Sequence, residues 1–147
     1  MSLRAQRLQR LLAIRKLSED LDRRALKQAF AALAQVGAGL QRQQTALAES
    51  KLAGRAALAS GDRGEWLMAD AQGEVAGWNL GRLRTLLSAR VSYASEATQK
   101  FLESRREHEM VKQVMDDAQR VARNEEERKT QSATDDWFLS RRKRPAD

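Results

Sequence analysis

Residues 60–64 read Ser60-Gly61-Asp62-Arg63-Gly64, and this stretch decides the fold because it is the strongest turn signal in the 147 residues. The single proline, Pro145, comes after it, so nothing earlier breaks a helix by removing a backbone donor. Asp62, followed three residues later by Glu65, resembles a capping box, which marks the start of a helix. The sequence therefore predicts two long helices joined by one turn near the middle of the chain.

Apolar residues recur every seven positions on both sides of this turn. Before it the repeat runs through Leu26, Leu33, Leu40 and Leu47, and after it through Leu80, Leu87, Ala94, Phe101, His108, Met115 and Ala122. The earlier stripe is expected at Leu8, Leu11 or Leu12, Ile14, Leu17 and Leu21, with a slip of one residue before Leu26. Heptad repeats of this kind form the seam of a coiled coil. The predicted fold is all-α, a long two-helix antiparallel coiled-coil hairpin.

The expected organisation is a single elongated domain over residues 1–147. Helix one is expected over about 3–59, the turn over about 60–64 and helix two over about 62–128. Residues 129–147 are expected to form a frayed basic tail, because the polar run from Asn124 to Asp136 carries no apolar stripe. A hairpin of this kind also predicts that cysteines introduced near residues 33 and 101 crosslink within one chain.

The composition argues against an enzyme. There is no cysteine, which excludes disulfides and thiolate chemistry, and there is no phosphate-binding glycine loop or metal-ligand spacing. The one histidine, His108, falls at a seam position, where it is expected to help set the register and not to catalyse. A two-helix hairpin offers no pocket that would perturb a carboxylate. We expect no cofactor, no metal and no small-molecule substrate, and no apolar stretch approaches the ~20 residues that span a bilayer.

Both ends of the chain are basic, and the net charge is +7. The first 18 residues contain Arg4, Arg7, Arg10, Arg15 and Lys16 with no acid, and residues 141–144 are Arg-Arg-Lys-Arg. Because both termini of a hairpin emerge at the same end, the two clusters are expected to lie together. The sequence thus predicts a positively charged open end that docks an acidic partner.

Three tryptophans lie towards the ends of the predicted helices, where exposed aromatic side chains commonly form interfaces. Near the turn, the candidate contact residues are Trp66, Leu67, Val75 and Trp78, and at the far end Trp137 is beside the basic cluster. Gly73, Gly77 and Gly81 share one face of helix two. They indicate either a thin or bent helix, or a flexible tip that presents the aromatic residues to a partner.

Two other functions fit the same residues. A sequence pI near 10.4 is compatible with a basic coiled coil that binds nucleic acid, although no aromatic residues are interleaved with the basic ones for base stacking. A homo-oligomeric structural coiled coil, with the helices parallel in a dimer and no hairpin, would use the same heptads. The turn at residues 60–64 favours the hairpin over this third arrangement.

The whole pattern resembles the FliJ/YscO proteins, the central stalk components of flagellar and injectisome type III secretion. The resemblance rests on the Leu-Arg-rich opening from Leu3 to Lys16, on Trp66-Leu67 at mid-chain and on the ending from Asp135 through Trp137 to Arg144. It covers nearly the whole length, as a pattern and not as a motif.

This resemblance implies a fold like the coiled coil of the rotary ATPase γ subunit, in a cytoplasmic protein associated peripherally with an inner-membrane secretion apparatus. The open end would enter a hexameric secretion ATPase, and the tip would face an export-gate membrane protein, with export chaperones as further partners. The candidate contacts with the ATPase ring are Arg4, Arg7, Arg10, Arg15, Trp137 and residues 141–144. Those with the gate are Trp66, Leu67, Val75 and Trp78.

Overall fold

A computed structural model describes Ser2 to Lys143, and these residues form two long helices that pack against each other. Helix α1 runs from Leu3–Ser60 and helix α2 from Arg63–Lys143. No strand occurs in this described part of the chain. The prediction of an all-α helical hairpin is confirmed.

The turn between the helices is made by two residues whose roles the sequence indicates. Gly61 has φ of 77°, a left-handed conformation that glycine adopts without strain. The amide of Asp62 donates to the Ala57 carbonyl and that of Gly61 to the Leu58 carbonyl, at 3.0 and 3.4 Å, which is the Schellman pattern for ending a helix. The Asp62 carboxylate in turn accepts from the Glu65 amide at 3.1 Å, so the predicted N-cap is confirmed.

The helices divide into two compact units. The turn unit contains residues 20–102, and the terminal unit contains residues 2–19 together with the described residues from 103 onwards. In the turn unit the seam is built from small side chains near the turn. A Cβ placed on Gly54 would lie 3.8 Å from the Ala69 Cβ, and Ala57 and Ala76 are 1% and 3% exposed. Small side chains let the two backbones approach closely there.

Further from the turn, the turn unit contains a small core of alanines. Ala29, Ala94 and Ala97 are buried together, with Leu26 and Leu33 packed against them. Phe101 lies at another level of the seam, under the Arg23 guanidinium at 5.5 Å. The cysteine pair expected near residues 33 and 101 is therefore misplaced, because Leu33 packs against residues 94–97.

The heptad predicted for α2 matches its buried positions. Leu80 and Ala94 are buried, and the intervening and later members Leu87, Phe101, His108 and Met115 are half-buried. Ala122, the last predicted member, is exposed, so this end of the expected stripe is wrong. The last half-buried residue of α2 is Ala118.

The stripe expected for the first part of α1 is partly wrong. Leu8 and Leu12 are half-buried as predicted, but Leu11 is 37%, Ile14 61%, Leu17 62% and Leu21 54% exposed. The heptad does not slip before Leu26. It continues backwards through polar side chains, and its members there are Ala5, Leu8, Leu12, Arg15, Glu19, Asp22 and Leu26.

The end of α2 also differs from the sequence-based expectation. The helix continues to Lys143, fifteen residues beyond the predicted end at Arg128. Every described residue from Gln119 onwards is exposed. The polar run lacks an apolar stripe, but helix formation needs only local hydrogen bonds and residues such as Glu, Arg and Lys that favour it. Residues 144–147 of the expected tail, including Arg144, lie outside the described part of the chain.

A designed disulfide provides a direct test of the hairpin. A Cβ on Gly73 would lie 3.8 Å from the Ser50 Cβ, which is the separation found in disulfides. Because the chain has no cysteine of its own, we expect Ser50→Cys with Gly73→Cys to give one oxidised species, crosslinked within the chain at any protein concentration. Closing this loop should stabilise the protein by about 3 kcal/mol. Non-reducing electrophoresis and thermal unfolding would measure both effects.

The matched control moves the second cysteine by one turn of the helix. Gly77 has no atom within 4 Å of where its Cβ would be, so Ser50→Cys with Gly77→Cys should remain reduced or form slow mixed products. Crosslinking of the Ser50/Gly73 variant only between chains would show that the helices do not fold back on each other.

Candidate interaction surfaces

The terminal unit has a polar layer where the heptads predict apolar contacts. His108 Nδ1 lies 2.6 Å from Glu19 Oε2, and these side chains are 21% and 10% exposed. Next to them, Arg15 Nη1 donates to Glu107 Oε2 at 2.6 Å, and Ser104 is buried. Polar pairs buried in a coiled-coil seam favour one register because any other leaves them without partners.

Sequence reasoning identified only one member of this layer. His108 occupies the seam position predicted for it, but its partner Glu19 was missed because a glutamate does not look like a seam residue. The signal that could have found it is the heptad itself. Counting back by sevens from Leu26 reaches Glu19, and counting back from Ala29 reaches Asp22 and Arg15.

The basic opening of α1 is the first of the predicted contact surfaces, and it lies in the terminal unit. Arg4, Arg7 and Arg10 are exposed. Arg15 differs from them because its guanidinium is paired with Glu107 and its side chain is only 39% exposed. The structure therefore offers three freely exposed arginines here and places the fourth in the seam.

The second predicted surface is the aromatic and basic patch near the described end of α2. Trp137 and Phe138 meet edge to face, with ring centroids 5.2 Å apart, and are 51% and 60% exposed. The Arg141 guanidinium lies over the Trp137 ring at 4.6 Å, a cation–π contact that holds both side chains in place. Arg142 is exposed beside them.

The two basic clusters do not lie together as expected. Seam burial in the terminal unit runs from Ala5 on α1 to Ala118 on α2, so α1 begins near the level of Ala118. Arg141 lies 23 residues further along the helix, which corresponds to about 35 Å at a rise of 1.5 Å per residue. The expectation of one merged basic end is wrong because α2 does not fray at Arg128.

The third predicted surface lies in the turn unit, and its four residues divide into two groups. Leu67, Val75 and Trp78 are 53%, 51% and 66% exposed and share one face of α2. Trp66 is half-buried at a seam position, where it lines a groove with Ser50 and Gly54. The structure thus brings three of these residues together on the outside and places Trp66 at the seam.

The glycine series has two roles in the structure. Gly73 is at the seam, where an added Cβ would meet the Ser50 Oγ at 2.9 Å, so glycine is needed for the close approach of the helices. Gly77 and Gly81 have no atom within 4 Å of their Cβ positions. They leave open space beside Trp78 on the surface of α2.

Concave surfaces in the turn unit are open grooves along the seam. One is lined by Gly39, Gln43, Asn79 and Leu83, where the Asn79 amide donates to the Gln43 carbonyl at 3.4 Å. Among the described residues, no group of three or more His, Cys, Asp or Glu side chains is placed to hold a metal ion. Neither described helix contains a segment long and apolar enough to cross a membrane.

Comparison with known proteins returned nothing: no family model matches the chain, and no curated protein or solved structure matches it significantly. The functional argument therefore rests on the exposed arginines of α1, the Trp137 patch and the outer face of α2 near Trp78.

Proposed function

We propose that this protein is a non-enzymatic stalk or coupling factor of a type III secretion or flagellar export apparatus. Its terminal unit binds a hexameric export ATPase, and its turn unit contacts an export-gate membrane protein and export chaperones. This assignment extends the resemblance to the FliJ/YscO proteins, and it places the protein in the cytoplasm at the inner membrane.

One observation carries the proposal. Helix α2 continues 25 residues beyond Ala118, from Gln119 to Lys143, with every side chain exposed, and ends in a preorganised Trp137–Arg141 patch. A polar helix without a tertiary partner is only marginally stable in water, so such a segment suits a partner that supplies the missing contacts. Exposed tryptophan and arginine side chains are the residue types most often found at the centre of protein interfaces.

The exposed arginines of α1 support the same assignment. Arg4, Arg7 and Arg10 recur every three residues, so they form a continuous basic strip with no acid nearby in sequence. A strip of this kind accelerates association with an acidic surface and orients the complex. An acidic lining in the pore of the ATPase ring is the counterpart that the proposal requires.

The proposal is tested by the turnover of the secretion ATPase encoded beside this chain. We expect purified protein to raise the rate of ATP hydrolysis, because it favours assembly of the ring, and we expect Arg7→Glu with Arg10→Glu to abolish this increase. Each reversal places like charges against the acidic partner surface. Circular dichroism would confirm that the variant remains helical.

The matched control reverses two exposed arginines of the turn unit, Arg84→Glu with Arg90→Glu, and should leave the stimulation intact. Unchanged turnover with wild-type protein would contradict insertion into the ring. Salt-dependent binding to random DNA, lost in the Arg7/Arg10 variant and without any effect on the ATPase, would instead support a nucleic-acid-binding protein.

A further inference from the structure

The outer face of α2 in the turn unit is apolar at its centre and oppositely charged on its two sides. It consists of exposed residues spaced three or four apart, which places them on one side of the helix: Leu67, Ala71, Glu74, Val75, Trp78 and Arg82. The seam residues Ala69, Ala76 and Leu80 are buried on the other side. A solvent-facing surface with Leu67, Val75 and Trp78 more than half exposed is a marker of an interaction site.

The charges on this face are arranged symmetrically about Trp78. Glu74 precedes Trp78 by four residues and Arg82 follows it by four, one helical turn on each side. Neither of them forms an ion pair with any residue in the described part of the chain, from Ser2 to Lys143. Two unpaired charges of opposite sign, equidistant from a central aromatic residue, are complementary to the same surface turned through 180°.

We propose that the outer face of α2 binds a second copy of this chain, antiparallel, with the twofold axis at Trp78. In this arrangement Glu74 of one copy faces Arg82 of the other, and the reciprocal pair forms by symmetry. A parallel pair would place Glu74 opposite Glu74, so the charges select the antiparallel direction. The hairpin of each copy stays intact, which distinguishes this dimer from a parallel coiled coil.

The shapes of the side chains fit the same register. With the axis at Trp78, Val75 of one copy faces Gly81 of the other, where no atom lies within 4 Å of the glycine Cβ position. A branched side chain opposite an open glycine is the interdigitation that close helix packing requires. No residue between 63 and 93 is placed opposite a residue of like charge in this register.

This inference does not depend on the proposed function. A gate protein or chaperone that bound Leu67, Val75 and Trp78 would compete with the second copy for the same residues. Self-association would then keep this apolar surface covered until such a partner arrives.

Charge exchange tests the proposal in the full-length chain. Sedimentation velocity over a range of concentrations should show a monomer–dimer equilibrium for the wild type. Glu74→Arg alone, or Arg82→Glu alone, should weaken dimerisation by about tenfold or more, because each creates two facing pairs of like charge. The exchanged variant, Glu74→Arg with Arg82→Glu, should dimerise as the wild type does. Glu49→Arg, an equal charge change at an exposed site on α1, is the control and should have no effect.

Cysteine crosslinking tests the register. Chains with Val75→Cys mixed with chains carrying Gly81→Cys should form a disulfide between them, whereas neither variant alone should crosslink, since equivalent residues are offset by about 9 Å along the axis. A wild type that stays monomeric overturns the proposal. So does an exchanged variant as weak as the single reversals, or efficient self-crosslinking of Val75→Cys chains.

Discussion

Replacing Ala29 by aspartate is expected to cause the largest loss of stability of any single substitution in the turn unit. Ala29 is 1% exposed and packs with Ala94 and Ala97, where the helices are too close for a longer side chain. A carboxylate there has no cation to pair with and cannot reach water without separating the helices. We expect the free energy of unfolding to fall by about 3–5 kcal/mol, the range found for uncompensated buried charge.

The control for this prediction is Ala31→Asp, which introduces the same side chain at an exposed position of the same helix. Both variants carry the same intrinsic helix penalty, so their difference isolates burial. Urea unfolding followed by circular dichroism measures both. Equal destabilisation by the two substitutions would contradict a tightly packed alanine core at this level.

The second large effect is expected in the polar layer of the terminal unit. Replacing Glu19 by alanine leaves the half-buried His108 without its carboxylate partner, and replacing His108 leaves the buried Glu19 in the same position. Each change should cost about 1–3 kcal/mol. The double alanine variant should lose less than the sum of the two, since the second change removes a group that has already lost its partner.

Two further variants make this prediction specific. Glu19→Leu with His108→Leu should be at least as stable as the wild type, because an apolar pair at these heptad positions replaces a desolvated polar one. Glu109→Ala, which removes an exposed pair with Arg105, should change the free energy of unfolding by less than about 0.5 kcal/mol. Additive single effects would show that Glu19 and His108 do not interact in solution.

The parts of the fold that sequence predicts are those set by local chemistry. Gly61, Asp62 and Glu65 act within one turn of each other, so the helix end, the cap and the reversal of the chain are all legible in five letters. The leucine heptad is equally local. The polar layer is not, because the partner that makes Arg15 a seam residue is 92 positions away in the sequence.

The candidate surfaces were predicted with the same unevenness. Exposed arginines and tryptophans were identified correctly as types, but their grouping depended on where α2 ends. The absence of an apolar stripe after Asn124 was interpreted as fraying, although it indicates only that nothing in the chain packs there. Trp66 was grouped with Trp78 by proximity in sequence, whereas helical geometry places them on different sides of α2.

The seam of the turn unit also has a consequence for how this unit folds. Its contacts join residues that are progressively further apart: Gly54 with Ala69, then Ser50 with Gly73, Gln43 with Asn79, and Ala29 with Ala94. Once the turn at Gly61 has formed, each layer closes only a few residues beyond the previous one. The entropy of closing a long loop is therefore never lost in one step. The unit can close like a zipper from Gly61, and lengthening its two helices would add steps to the process without making any single step slower.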